Sequence, residues 1–232
     1  MLSMKKSIGI LGGMGPMATC DLMKKIIENT DAACDQEHIR IFVDNNTNIP
    51  DRTAAILAGG KDPRPEMLKS AKGLQAMGAD VIIIPCNTAH FFWQDVQNAV
   101  EIPVLHMLRQ TAELLQKQDI KAAAVLATDG TIQTGLYDRE LEKVGITPVH
   151  PDPEDQKMIM SVIYEYVKAG KDFPYPERIA AMEKRLAQQG AQCMILGCTE
   201  LPVAFSRWET SLPTVDPTEI LARAAVRFAT DI

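Results

Sequence analysis

A short phrase occurs twice in this chain of 232 residues, and it constrains the fold more than any other feature. Residues 78–88 read GADVIIIPCNT, and residues 190–199, about half the chain further on, read GAQCMILGCT. Each phrase is an apolar run, typical of a buried strand, that ends in a cysteine followed closely by a threonine. The repetition predicts two equivalent halves, each of which places one thiol, Cys86 or Cys198, at the end of a strand.

Three further pairs of segments repeat in the same order along the two halves. They are residues 8–11 with 123–126, residues 102–104 with 212–214, and Pro65 with Pro176. Matches in one order indicate a duplicated α/β unit. We therefore predict a first domain, residues 1–103 plus 213–232, which carries Cys86, and a second domain, residues 104–212, which carries Cys198.

Short apolar runs alternate with amphipathic segments along the chain, which is typical of parallel α/β sheets. The predicted strands are Ile8–Leu11, Ile39–Val43, Val81–Ile84, Pro103–Leu105, Ala122–Leu126, Cys193–Leu196 and Thr214–Val215. The predicted helices begin near Pro16, Pro65, Ala89, Leu108, Thr131, Glu154, Pro176 and Pro217. Pro148 makes residues 146–149 an edge strand or a loop. The predicted fold class is α/β, with two pseudosymmetric flavodoxin-like domains and an active site in the cleft between them, at the carboxyl ends of the strands.

Composition limits which binding partners and which cellular compartment are expected for this chain. A net charge of −6 and a pI near 5.3 disfavour nucleic acid and anionic membranes, which attract basic surfaces. No apolar run approaches the ~18–20 residues that span a bilayer. The five cysteines show none of the paired spacings of a disulfide scaffold or a zinc site. We expect a cytoplasmic protein with no nucleic-acid or membrane partner.

Two thiols at equivalent strand ends fit one kind of chemistry well. Inverting an amino-acid Cα requires a base on one face and an acid on the other, and a cysteine pKa of about 8.5 lets one residue serve either role after modest tuning. A following helix N-terminus is expected to lower the pKa of each thiol. The alternative is that both are buried structural cysteines, which are common. Their equivalence within a repeat favours the functional interpretation.

At this point the sequence resembles the aspartate/glutamate racemase superfamily, and its aspartate racemase branch in particular. The residues that carry the resemblance are Pro85–His90 (PCNTAH), Gly197–Pro202 (GCTELP), Gly12–Pro16 (GGMGP) and Gly130–Thr131. The resemblance covers nearly the whole chain. It implies a two-base mechanism with Cys86 and Cys198, no pyridoxal phosphate or other cofactor, no metal, and a homodimer.

The same resemblance implies a set of substrate-binding residues. Asn87, Thr88 and Thr199 would bind the α-carboxylate and ammonium of an amino acid, and donors on that carboxylate would stabilise the charge that develops during proton removal. The matching glycine motifs add Met14 and Thr131 to the set.

Two cations match positions that the aspartate branch uses for acidic substrates. Arg52 lies in a turn-rich loop after the second strand, and Lys168 lies before Gly170. Two cations in one site would select a second carboxylate, hence aspartate or glutamate. The alternative is that Lys168 has no role at the site, because the helix dipole favours a lysine in the last turn of a helix. Glu200 occupies the position where the glutamate racemase branch has histidine. Its expected role is to orient either Cys198 or the substrate ammonium, and the alternative is that it is a surface turn residue.

Competing interpretations come from single motifs. Residues 13–18 match the dinucleotide fingerprint G-x-G-x-x-A, and Asp44 ends the second strand, but a lone match is weak and leaves the repeat unexplained. A metal site from Cys86, His90 and His106 lacks further paired ligands. We therefore predict a cofactor-independent racemase that interconverts L- and D-aspartate, with glutamate as a second candidate substrate. The alternatives are a broad-specificity amino-acid racemase and a non-catalytic binder of acidic metabolites.

Overall fold

The computed structural model describes residues 5–231, which form two compact units. The first unit contains the described residues up to Gln110 and those from Thr218 onwards, and the second contains Thr111–Pro217. The predicted boundaries after residues 103 and 212 lie a few residues before these divisions.

The first unit is built on a parallel sheet of three strands in the order β2-β1-β3. The strands are β1 (Ile8–Gly12), β2 (Ile41–Asn45) and β3 (Val81–Ile83), with Ile8 opposite both Ile41 and Val81. The helices are α1 (Pro16–Glu28), α2 (Arg52–Leu57), α3 (Arg64–Ala76), α4 (Trp93–Asn98), the beginning of α5 (Met107–Lys117) and most of α11 (Pro217–Thr230), with 3₁₀ helices at Asp35–Glu37 and Thr88–Phe92. Every residue of β1 is buried, as expected for a central parallel strand with both faces covered.

The second unit is built on a parallel sheet of four strands in the order β5-β4-β6-β7. The strands are β4 (Ala122–Ala127), β5 (Thr147–Val149), β6 (Cys193–Gly197) and β7 (Thr214–Val215). The helices are α6 (Asp129–Gln133), α7 (Leu136–Lys143), α8 (Pro153–Ser161), a π-helix (Val162–Val167), α9 (Pro176–Gln188) and α10 (Leu201–Phe205). Pro148 lies in the edge strand β5, where its missing N–H costs no central ladder bond.

The predicted strand at Pro103–Leu105 is wrong in extent, because only an isolated bridge between Val104 and Ile82 forms there. Proline cannot donate to a ladder, so this segment contributes the Pro103 carbonyl and the Leu105 N–H to Ile82. The bridge still lies beside β3, where β7 lies beside β6. The predicted helix at Ala89 begins instead as a 3₁₀ helix and becomes α4 only at Trp93.

The two units share one strand order, in which the first strand lies between the second and the third. Beside the third strand lies a fourth strand in the second unit and the isolated bridge at Val104 in the first unit. This is the flavodoxin-like order, and the α/β fold class is confirmed. In such sheets the connection reverses between the first and third strands, and ligands bind at the carboxyl ends of those strands. Each unit therefore has one place where sequence and topology both favour a site: the ends of β1 and β3, and the ends of β4 and β6.

Each unit also has an apolar cluster of its own. The first includes Leu11, Met14, Leu74, Ile84 and Cys86, and the second includes Leu126, Ile159, Leu186, Leu196 and Cys198. Among residues 5–231, no helix has both the length and the apolar character that crossing a bilayer requires.

Candidate active site

The structure distributes the ten predicted site residues equally between the two units. Met14, Arg52, Cys86, Asn87 and Thr88 lie in the first unit, and Thr131, Lys168, Cys198, Thr199 and Glu200 lie in the second. Within each unit, they cluster around the carboxyl ends of the strands identified above.

Cys86 follows β3 in a tight turn that leads into the 3₁₀ helix. Its N–H bonds to the Ile84 carbonyl at 2.8 Å, and its side chain is largely buried. Asn87 and Thr88, the next two residues, are also buried and form the start of the 3₁₀ helix. A thiol, an amide and a hydroxyl thus occupy consecutive positions at one strand end.

His90 holds this segment in place through two hydrogen bonds between its ring and the backbone. Its Nδ1–H donates to the Cys86 carbonyl at 2.8 Å, and its Nε2 accepts the Met107 N–H at 3.1 Å. Both ring nitrogens are therefore engaged with the backbone, which fixes the neutral tautomer and excludes His90 as a metal ligand in this conformation. Burial, with a smaller contribution from the charge of His106, lowers the pKa of His90 from 6.5 to about 3. His90 is a neutral anchor that joins the Cys86 turn to the beginning of α5.

This burial predicts an acid-dependent stability that can be assigned to His90. Because the unfolded chain binds a proton below about pH 6.5 and the folded chain only near pH 3, stability falls as pH decreases through that interval, by about 1.4 kcal/mol per pH unit. In His90→Asn, which keeps a donor near the Cys86 carbonyl and does not titrate, this contribution disappears. Urea unfolding of both proteins at pH 7, 6 and 5 measures the difference, and a difference that stays constant with pH would contradict the assignment.

Arg52 is the first residue of α2, and its side chain turns back into the protein. Its guanidinium donates to the carbonyls of Pro50 at 3.0 Å, Met14 at 3.3 Å and Ile49 at 3.4 Å. These bonds connect the loops after β1 and β2, and α2 packs against the 3₁₀ helix that follows Cys86. Arg52 and Met14 are thus held at the same end of the sheet as the thiol.

The glycine motif after β1 has a structural explanation that does not need a nucleotide. Gly13 has a φ of +92°, and an added Cβ would come within 2.3 Å of the Asn46 backbone. Its N–H donates to Thr19 Oγ1 at 2.9 Å. The close approach of the β2 loop therefore accounts for the glycine that the dinucleotide fingerprint would assign to a phosphate.

Cys198 follows β6 and belongs to a polar network. Its Sγ donates to Glu200 Oε2 at 2.9 Å, and the Thr199 hydroxyl donates to the same oxygen at 3.2 Å. Glu200 Oε1 pairs with Lys168 Nζ at 3.2 Å, where the side chains are 13% and 29% exposed respectively. Glu200 is therefore a partner of Cys198, Thr199 and Lys168 and not a surface turn residue.

The pKa of Cys198 moves in the opposite direction to the sequence expectation. Burial raises the pKa of the thiol well above its ordinary value, and the charge of Glu200 and its hydrogen bond raise it further. The positive charge of Lys168 and a backbone bond from Glu200 act the other way, with smaller effects. The helix after Cys198 is only five residues long, so its dipole does not outweigh burial beside a carboxylate.

Lys168 reaches Glu200 from the end of an unusual helix. The π-helix Val162–Val167 continues α8 and packs against α10, the helix that follows Glu200. Lys168 Nζ also lies 5.2 Å from the centre of the Tyr164 ring. π-Helical turns are rare and frequently occur at functional sites. The predicted last α-helical turn before Gly170 is thus a π-helix.

The residues after β4 complete the second group. Ala127 pairs with Gly197, so Thr128 and Cys198 are the first residues beyond neighbouring strand ends. Thr131, which is almost fully buried, contacts the Thr128 hydroxyl at 3.2 Å between the two oxygens. These hydroxyls lie at the same sheet edge as Cys198.

Tyr137 is a residue that sequence reasoning missed. It is fully buried, its ring would lie 2.9 Å from a Cβ added at Gly197, and its hydroxyl bonds to Thr111. Burial raises its pKa well above the ordinary value. Tyr137 therefore forms an uncharged wall beside the Cys198 strand end, and Gly197 makes room for it.

The other three cysteines differ from this pair. All five are unbridged; Cys20 and Cys34 are exposed, and Cys193 is buried inside β6, where burial raises its pKa to about 11. Within residues 5–231, no cluster of three or more His, Cys, Asp or Glu side chains could hold a metal ion. Cys86 and Cys198 are thus distinguished by their strand-end positions.

Comparison with known proteins agrees with this fold. A protein-family model described as Asp/Glu/Hydantoin racemase matches residues 11–225. The chain belongs to this family and so to the racemases.

Individual relatives come from more than one branch of the family. The broad specificity amino-acid racemase RacX of Bacillus subtilis (strain 168) is 27% identical over 228 residues, 94% of this chain and 96% of that protein. The aspartate racemase of Picrophilus torridus is 33% identical, with a TM-score of 0.85 over 97% of this chain and 94% of that one. An aspartate racemase homologue from Pyrococcus horikoshii OT3 is 28% identical, with a TM-score of 0.80 over 97% and 99% of the two chains.

Proposed function

We propose that this protein is a cofactor-independent racemase that interconverts L- and D-aspartate, with glutamate as a second candidate substrate. The observation that carries the proposal is the equivalence of Cys86 and Cys198. Each thiol follows the third strand of a unit, and the two units have the same strand order. A pair of structural cysteines would not need that equivalence.

In the proposed reaction the two thiols act on opposite faces of one Cα. A thiolate takes the α-proton and becomes a thiol, and the electron pair of the broken C–H bond delocalises into the α-carboxylate. The other cysteine then gives its proton to the opposite face of Cα and becomes a thiolate. The substrate is inverted, the two cysteines have exchanged protonation states, and solvent returns them to the starting form.

The neighbouring polar groups support the handling of an amino acid. Asn87 and Thr88 lie next to Cys86, and Thr199 lies next to Cys198, so donors accompany each thiol. Donors fixed around a carboxylate stabilise the negative charge that develops during α-proton removal. We propose that these residues, together with Met14 and Thr131, bind the α-carboxylate and ammonium of the substrate. Arg52 and Lys168 bind its side-chain carboxylate.

Solvent deuterium incorporation at Cα tests the proposal directly. The purified protein, treated with chelator and with no added cofactor, is incubated in D₂O with D- and L-forms of aspartate, glutamate, asparagine and alanine. We expect inversion and deuterium incorporation with aspartate, at rates that survive the chelator. Binding of aspartate without exchange would instead support the non-catalytic binder.

A second candidate is a broad-specificity amino-acid racemase, which the 27% identity to RacX along 94% of the chain favours. The same panel separates the two candidates. Comparable rates for alanine, asparagine and aspartate would support broad specificity, and a strong preference for aspartate would support our proposal. We also propose a homodimer, which the family resemblance implies, and a cytoplasmic location, which the cysteine pattern favours. Sedimentation velocity tests the first.

A further inference from the structure

The Cys198 network makes the two thiols chemically unequal. Glu200 Oε2 accepts hydrogen bonds from both the Cys198 thiol and the Thr199 hydroxyl, and Glu200 Oε1 faces the Lys168 ammonium. A carboxylate held in this way by a cation and two donors is ionised, because it is placed to accept hydrogen bonds and not to donate them. The hydrogen on Cys198 is what makes the 2.9 Å contact favourable, since a thiolate there would face another anion.

We propose that Glu200 is a positioning residue that keeps Cys198 as the proton-donating thiol of the ligand-free enzyme, which leaves Cys86 to act first as the base. This inference rests on the proposed racemase function and specifies how its two cysteines divide the work.

Glu200 does not serve as the base that deprotonates Cys198. A thiol is a much weaker acid than a carboxylic acid, and burial raises the pKa of the Cys198 thiol further, so transfer of its proton to Glu200 is disfavoured. The contact therefore holds the proton on sulfur and orients it. When Cys198 has donated its proton to the substrate, the new thiolate lies beside the Glu200 carboxylate, and this repulsion favours return of a proton from solvent.

The other groups around Cys198 do not reverse this assignment. Lys168 is the nearby cation, and it lowers the thiol pKa less than burial and Glu200 together raise it. Tyr137 is uncharged, because its pKa is raised well above the ordinary value. The charge of Asp216 also raises the pKa of Tyr137, so Asp216 adds a further negative charge to this part of the second unit. The balance of burial and charge favours the thiol.

Site-resolved alkylation tests the inference without relying on activity. Iodoacetamide reacts with thiolates, so the labelling rate at each cysteine reports its ionisation and access. In the parent protein at pH 7.5, mass mapping should show Cys86 labelled faster than Cys198, with exposed Cys20 and Cys34 as references. In Glu200→Gln, Cys198 loses the carboxylate and keeps Lys168, so its thiol pKa should fall and its labelling should accelerate about tenfold or more.

Activity should change in the opposite direction. Glu200→Gln should lower kcat/KM about 10- to 100-fold, because a charged hydrogen bond that orients the donor is lost. It should also shift the basic limb of the pH profile to lower pH. The two enantiomers have equal free energy, so kcat/KM must fall equally in both directions. The matched control is Glu165→Gln, which changes an exposed carboxylate of the π-helix that bonds to Ser161, and it should resemble the parent in both assays.

Two results would overturn the inference. One is Cys198 labelling that is no faster in Glu200→Gln than in the parent. The other is a variant whose racemisation stays within threefold of the parent with an unmoved basic limb. If the parent racemises no amino acid, the proposed function fails, but the labelling comparison still reports whether Glu200 holds the Cys198 proton.

Discussion

Replacing either Cys86 or Cys198 by serine is expected to lower kcat/KM for racemisation by about 10³-fold or more while the fold stays intact. Serine is nearly isosteric with cysteine, but its hydroxyl is far too weak an acid to form the anion near neutral pH. Positioned proton transfer contributes about 10²- to 10⁴-fold for each group, so removing one acid/base partner should have an effect of this size. Polarimetry or chiral chromatography measures the rate, and circular dichroism checks the fold.

The single variants should differ from an inactive protein in one respect. Each retains one thiol, so each should still exchange the α-proton of one enantiomer with D₂O without inverting it, and the two variants should exchange opposite enantiomers. Cys20→Ser is the matched control, because Cys20 is exposed on α1 and takes no part in the proposed site. Racemisation within tenfold of the parent in either Cys86→Ser or Cys198→Ser would refute the two-base assignment.

The strand ends that carry these thiols could be predicted because parallel strands leave a strong sequence signal. A strand covered on both faces is a continuous apolar run, and the chain must turn where the run stops. Both Val81–Ile83 and Cys193–Gly197 follow this rule; Cys198 comes directly after its strand, and Cys86 comes three residues after Ile83. The repeat then implied that both units share one strand order, which the structure confirms.

Contacts between distant segments could not be predicted in the same way. Lys168 and Glu200 are far apart in sequence, and only the π-helix beside α10 brings them together. Hydrophobic periodicity distinguishes helix from strand, but it does not reveal a π-helical turn. The sequence therefore indicated a cation for the substrate, and the structure adds a carboxylate partner for that cation.

The role of His90 was hidden for a related reason. The motif PCNTAH places His90 close to Cys86 in the sequence, but its role depends on the Met107 N–H, which belongs to another element. Burial lowers the pKa of His90 and so keeps its side chain neutral. Tyr137 gave no sequence signal at all, because a lone tyrosine in an amphipathic helix has no motif, and only the small Gly197 beside it marks the contact.

Substrate choice is expected to depend on Arg52 most strongly. Arg52→Ala should lower kcat/KM for aspartate about 100-fold or more and the rate for alanine much less, if the guanidinium binds the side-chain carboxylate. Charged hydrogen bonds contribute about 1.5–3 kcal/mol each, and a site built around a substrate's polar group strongly rejects analogues that lack it. Steady-state kinetics with aspartate, asparagine and alanine measure the selectivity. Arg64→Ala, which removes the same charge from an exposed side chain paired with Asp62, is the matched control.

Lys168→Ala should give a different pattern, because Lys168 already pairs with Glu200. Loss of that cation should slow every substrate by disturbing the Cys198 network, and aspartate should lose an additional factor through its side-chain carboxylate. Glutamate should be affected like aspartate, since one methylene changes discrimination by only about 1–3 kcal/mol. A parent enzyme that turns over alanine as well as aspartate would refute the selectivity argument. Arg52, with its bonds to the Met14, Ile49 and Pro50 carbonyls, would then be a connector of two loops in a broad-specificity racemase.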